Sequence, residues 1–209
     1  MKKFLSALHK FERLTNGLSE AIGPLVAASV QQNITECSEP GNSPLTKRLK
    51  GNKGPLKDSG ELRASITYTT RNDTLLVGTN KAHAPLLNDG GVIRAKKAKM
   101  LTIPATRQVK LQTNIKGVRG FLSALETKGW SIVWRGGSVL GTPPIGQKGL
   151  GVKLTAKIGK DGKKQRPAYL LYYRKKEVVV PARRFMQLTK AHRTELHAFV
   201  KNYMSGAFK

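Results

Sequence analysis

Residues 58–79 read DSGELRASITYTTRNDTLLVGT, and the fold class turns on this stretch. Asp58 or Ser59 stands where a helix cap belongs, with Glu61 three residues after Asp58 as in a capping box. A short helix through Ile66 is therefore expected, with Leu62 and Ile66 seeding a core. Next, Ser65–Thr70 and Thr74–Thr79, rich in β-branched residues, flank Arg71-Asn72-Asp73, the pattern of a β-hairpin with a short turn. A turn that tight joins antiparallel strands only, since a parallel pair needs a crossover of a dozen residues or more.

Working outward, both ends of the chain read as helix. Phe4, Leu8, Phe11, Leu18, Ile22, Leu25, Val26 and Val30 recur three, four and seven apart, forming one apolar stripe in the first 36 residues. Gly23-Pro24 is expected to kink or restart that helix, because proline removes a helix hydrogen bond. Residues 38–57 read as a long polar loop, and His83–Asp89 as a short helix ended by Gly90-Gly91. Short strands are predicted at Leu101–Pro104, Ser131–Arg135, Gly151–Ile158, Ala168–Arg174 and Val178–Val180, the last stopped by Pro181. Phe185–Tyr203 is amphipathic, with Leu188, Leu196, Phe199, Val200 and Tyr203 on the face of Phe185. The class is α+β: an antiparallel sheet flanked by N- and C-terminal helices, with a long basic insertion.

Charge marks out that insertion. The 209 residues hold 38 Lys+Arg against 12 Asp+Glu, a net +26. Residues 90–176 carry 20 of those cations and only Glu126 and Asp161 as acids. Residues 1–91 and 178–209 thus form a mildly basic core region, interrupted by a strongly basic segment, 92–177. Such a charge calls for a polyanionic neighbour: nucleic acid, an anionic membrane surface or an acidic protein. The glycines of residues 136–166 read as a loop that neighbours would order, and Trp130 and Trp134 are far in sequence from the densest lysine runs. Contacts to nucleic acid are therefore expected at phosphates and without sequence preference.

Several function classes find no support. Gly162-Lys163 is followed by Lys164, so there is no Walker A loop, and Gly137-Ser138 continues as Val139-Leu140, so there is no nucleophile elbow. The acids are scattered, unlike the converging carboxylates of a two-metal nuclease. His192 and His197 are five apart on an expected helix and share no face that could chelate a metal. Cys37, the single cysteine, rules out a disulfide framework, and no apolar run approaches the roughly 20 residues of a membrane span. No enzyme activity, cofactor or metal is expected, and the chain reads as soluble.

Three fragments then fall into a recognisable order. They are Pro55–Ile66, Val77–Ala84 continuing to Asp89-Gly90-Gly91, and Val180-Pro181-Ala182-Arg183-Arg184-Phe185. Together they resemble the phage virion-morphogenesis or tail-completion family, with His83 where a tyrosine is usual and Arg184 where a proline is common. The resemblance covers residues 55–91 and 178–203 and leaves the insertion loosely matched. It assigns structural roles to Asp58, Ser59, Gly60, Leu62, Arg63, Gly90, Gly91 and Pro181.

What the resemblance implies is a structural virion protein of a tailed phage, assembled in the host cytoplasm. Its place would be the neck, completing the tail and joining it to the head. It would be one subunit of a homo-oligomeric ring, six-fold, stacked between the head-side connector and the tail terminator, tube or sheath. Lys148, Lys153, Lys157, Lys160, Lys163, Lys164 and Arg166, with Arg183 and Arg184 placed at the start of the last helix, are the expected contacts to a partner or to genomic DNA. A nonspecific nucleic-acid-binding protein is the alternative reading.

Overall fold

The computed structural model describes residues 2–51, 53–71, 74–96, 98–155 and 166–207, with side chains from residue 17 to residue 205 within those ranges. In chain order come α1 (Lys2–Glu36), α2 (Pro44–Lys50), α3 (Glu61–Ala64), β1 (Ile66–Arg71) and β2 (Thr74–Thr79). They are followed by α4 (Ala84–Asp89), β3 (Gly91–Arg94), β4 (Leu101–Pro104), α5 (Arg107–Thr127) and β5 (Ser131–Trp134). The remainder is β6 (Ser138–Thr142), β7 (Val152–Lys153), β8 (Tyr169–Lys175), β9 (Glu177–Val180) and α6 (Lys190–Ala207). The class is α+β, with antiparallel sheets and a long helix at each end.

The chain divides into two compact units. Unit 1 is residues 1–41, 54–91 and 181–209; unit 2 is 42–53 and 92–180.

Unit 1 is built on α1. Its inward residues Ala27, Val30 and Ile34 meet Leu56, Leu62, Ile66, Ala84 and Phe185 in one core. Phe185 is 1% exposed and Ile34 2%, and burying side chains of this size contributes roughly 1.5–3 kcal/mol each. The β1–β2 hairpin pairs in antiparallel register from Ile66↔Thr79 to Arg71↔Thr74 and lies on α1, its turn residues 72–73 being outside the described set. Gly23 makes room for that packing: a Cβ there would stand 2.4 Å from the Tyr68 ring. The helix runs unbroken from Lys2 to Glu36 with Pro24 inside it, so it does not restart at Gly23-Pro24.

Unit 2 contains a five-stranded sheet in the order β4-β8-β6-β5, with β7 also paired to β8. The described pairings are antiparallel, with Leu101 opposite Lys175, Ser138 opposite Tyr173 and Trp134 opposite Val139. α5 supplies Val109, Phe121, Leu122 and Leu125 to a core with Trp130, Val139, Leu171 and Tyr172. The Phe121 and Tyr172 rings meet edge to face at 6.4 Å. The β3–β9 ribbon carries an ion pair between Arg94 and Glu177 at 2.9 Å.

Several sequence expectations need correction. The 38–57 loop contains α2, started by Ser43, whose Oγ accepts from the Thr46 N–H at 3.2 Å, and by Pro44 in the first helical turn. Residues 42–53 therefore belong to unit 2 and not to the loop of the first region. The short helix stops at Ala64, and Ile66 already opens β1. Its cap residue is Gly60, at φ 88° and without a side-chain cap bond, and the Glu61 N–H donates to Ser59 Oγ at 3.4 Å. The last helix begins at Lys190, leaving Phe185 in the preceding segment.

The glycine-rich stretch is not all loop over its described part. It contains β6 and β7, and Gly141, Gly149 and Gly151 are packing positions. A Cβ on Gly149 would overlap the Tyr169 ring at 1.7 Å, and one on Gly141 would press Leu171 at 2.9 Å. Residues 156–165, including the last three of the strand expected over Gly151–Ile158, lie outside the described set.

Candidate partner-contact surfaces

In unit 1 the segment Pro181–Gln187 is held by backbone and side-chain hydrogen bonds from three directions. The Arg183 N–H donates to Leu87 O at 3.0 Å and Asn88 O at 3.1 Å, at the end of α4. Asn88 Oδ1 accepts from the Met186 N–H at 3.0 Å. From α1, Asn33 Nδ2 donates to Phe185 O at 3.0 Å and Gln187 O at 2.6 Å. Gly90 lets the chain leave α4 with φ 75°, a conformation that favours glycine.

This network overturns one expected contact. Arg183 is 7% exposed, and its guanidinium donates to Pro40 O at 2.9 Å and Gly41 O at 3.3 Å. It ties the 40–41 bend to the 181–187 segment and is not presented to a partner. The start of α6 at Lys190 also removes both arginines from the helix N-terminus proposed for them. Arg184 is exposed and lines a cleft of about 340 Å³ with Asn33, Glu36, Glu39 and Gln187.

Cys37 lies on the same cleft, and its Sγ donates to Glu39 O at 3.7 Å. Burial pushes its thiol above the usual range, with Arg183 pulling the other way and Glu39 adding to the rise. Sequence offered no cation near Cys37; the fold supplies Arg183, and burial still dominates. The thiol is held in its protonated form, the less reactive one. Elsewhere in unit 1, Lys81 Nζ donates to Glu61 at 2.9 Å, and that bond holds the carboxyl below its usual range. Among the described residues, no three His, Cys, Asp or Glu side chains gather as a metal site requires. Likewise, no helix there is long and apolar enough to cross a membrane.

The basic residues of unit 2 divide unevenly. Lys148, Lys153 and Arg166 are exposed, with Lys153 on β7 opposite Tyr169. Lys157, Lys160, Lys163 and Lys164 lie outside the described residues. Sequence reasoning passed over another group, at the end of the sheet where β8 stops. There the Arg174 guanidinium stands 5.4 Å from the centroid of the Trp134 ring, a cation–π geometry. Arg174 Nη1 donates to Arg135 O at 2.9 Å, and the Arg174 N–H donates to Gly137 O at 2.9 Å. Trp134 is 51% exposed, whereas Trp130 is 6% exposed and donates from Nε1 to Gln147 at 3.2 Å. Forty residues separate Arg174 from Trp134, so only strand pairing could have revealed the contact.

Comparison with known proteins gives one informative relation. No protein-family model matches the chain, and no solved structure matches it. Over 81 residues it is 35% identical to Mu-like prophage FluMu G protein 2 of Haemophilus influenzae. That alignment takes in 38% of this chain and 57% of the relative, so the chain spans little more than half of the protein it matches. The similarity relates this chain to a phage protein, at the level of a Mu-like prophage.

Proposed function

We propose that the chain is a structural virion protein of a tailed phage, acting in the neck to complete the tail and join it to the head. The observation that carries this reading is the shared location of the three tail-completion fragments. Residues 55–66, 77–91 and 181–185, the three fragments without Val180, belong to unit 1, and hydrogen bonds from Arg183 to Leu87 and Asn88 tie the second fragment to the third. Similarity to a Mu-like prophage protein supports the phage assignment.

In this reading the subunit closes into a six-fold ring with its own copies. Ring closure needs a heterologous interface, one face of a subunit meeting a different face of the next. The head-side connector would lie on one side, and the tail terminator, tube or sheath on the other. The basic unit 2 would face acidic neighbours or the genome in the channel, through Lys148, Lys153, Arg166 and the lysines between 157 and 164, while Arg184 marks the exposed edge of unit 1.

The test is a null allele in the source phage, complemented in trans, with particles examined by electron microscopy. Filled heads and finished tails that fail to join are expected, together with a few copies of the protein in purified complemented virions. Heads that never fill, or virions lacking the protein, would overturn the reading. A cytosolic protein that co-purifies with nucleic acid and is absent from virions would instead establish the nonspecific binding role.

A further inference from the structure

Strand pairing gathers an aromatic and basic cluster at one end of the unit 2 sheet. Lys175 pairs with Leu101, which places the end of β8 beside Lys99 and the approach to β4. Tyr173 pairs with Ser138, which places the same end beside the Arg135–Ser138 turn. Lys99, Arg135 and Lys176 are exposed at this end, where Arg174 meets Trp134, while Lys175 alternates to the other face of β8. The nearby acid, Glu177, is engaged by Arg94 at 2.9 Å. Glu126 precedes the opposite end of β5, so it offsets nothing at this end.

The chemistry of this cluster is selective. Arg174 is fixed by its bond to Arg135 O and by the ring, and no carboxylate pairs with it among the described residues. Its guanidinium backs Trp134, while half of the indole stays open to solvent. A ligand that satisfies both features must be flat, aromatic and polyanionic. An acidic peptide answers the charge but not the ring. Duplex interiors keep their bases stacked on one another, whereas an unpaired base offers a free π-face.

We infer that this end of the sheet binds single-stranded nucleic acid. A base stacks on Trp134, and the flanking phosphates are held by Lys99, Arg135 and Lys176. The inference goes beyond the neck assignment and does not rest on it.

The test uses the full chain and a labelled oligothymidylate of about 12 nucleotides, a length within the range of single-strand sites, followed by fluorescence anisotropy. Trp134→Ala should weaken binding about tenfold, the loss expected of one stacked base, while Trp134→Phe, which keeps a ring, should bind nearly as the parent does. Arg135→Glu with Lys176→Glu should weaken binding and flatten the slope of log K against log salt by roughly 1.4, at about 0.7 for each phosphate no longer neutralised. The emission lost in Trp134→Phe isolates the Trp134 signal from buried Trp130, and oligothymidylate should quench that component. Three outcomes would overturn the inference: no quenching of Trp134, unchanged binding by a folded Trp134→Ala variant, or equal competition by polyglutamate. The last would assign the surface to an acidic protein.

Discussion

The two units of this chain differ most in what they do with charge. Unit 2 carries 24 Lys+Arg against 3 Asp+Glu, and unit 1 carries 14 against 9, so +21 of the net +26 falls on the former. Unit 1 places one of its cations inside, as Arg183 bonded to two carbonyls more than 140 residues earlier. Unit 2 keeps its described cations outside a small apolar core whose glycines admit large rings. A strongly basic segment can therefore fold compactly when its core is closed by close backbone approach. Self-repulsion acts on its surface, where counterions and anionic partners relieve it.

The sharpest way to break unit 1 is at its most buried aromatic. Phe185→Ala should cost about 3–5 kcal/mol, read as a fall in the denaturant midpoint by circular dichroism. A loss below about 1 kcal/mol would mean that the segment Pro181–Gln187 does not anchor the core.

In unit 2 the comparison rests on glycine. Gly149→Ala should cost about 1–3 kcal/mol by overpacking, because its new methyl meets the Tyr169 ring. Gly136→Ala, with open space around it, should stay within about 0.5 kcal/mol. Trp130, 6.3 Å from Tyr169, reports the first change by its emission. Equal stability of the two variants would show that the Tyr169 ring yields freely.

The two adjacent arginines separate a structural cation from a surface one. Arg183→Ala should cost about 0.5–1.5 kcal/mol for each hydrogen bond removed, and Arg184→Ala about 0.5 kcal/mol or less. Removing Arg183 also removes the larger of the two cationic influences, its own and that of Lys57, that lower the Cys37 pKa. Its thiol should then titrate still higher, measured as slower alkylation at a given alkaline pH. Faster alkylation would mean that Arg183 shields the thiol sterically and does not tune it.

The smallest effect belongs to the exposed pair Lys81 and Glu61. Glu61 has a folded pKa below its ordinary value. Its contribution to stability is therefore complete above the unfolded carboxylate pKa and disappears as pH falls through the folded one. Lys81→Ala should return the Glu61 titration, followed by NMR, towards the ordinary carboxylate range and erase that slope. An unmoved titration would assign the shift to Ser59 instead.

How much of this was legible beforehand follows from where the information sits along the chain. The hairpin and the terminal helices announce themselves through local periodicity, which survives in Ile66, Val30 and Leu196. α5 does not announce itself. Its inward residues Val109, Phe121, Leu122 and Leu125 are offset by exposed Leu111 and Ile115, and Gly117 breaks the helical backbone at φ 69°. α2 was marked only by Ser43-Pro44, an ordinary loop pair until the cap is seen. The surfaces were harder still: the burial of Arg183 and the pairing of Arg174 with Trp134 both depend on partners distant in sequence, and composition carries no trace of either.

The chain enters unit 2 twice, once for residues 42–53 and again for 92–180. α2, from the first visit, packs on α5 from the second. A recombination event that exchanged only the long segment between related genes would carry off α5 and leave α2 behind without its partner. Successful exchange demands two matched crossovers or the whole stretch from residue 42 onward. The basic unit is thus sewn into this chain with a double stitch, and its history should show α2 and α5 varying together.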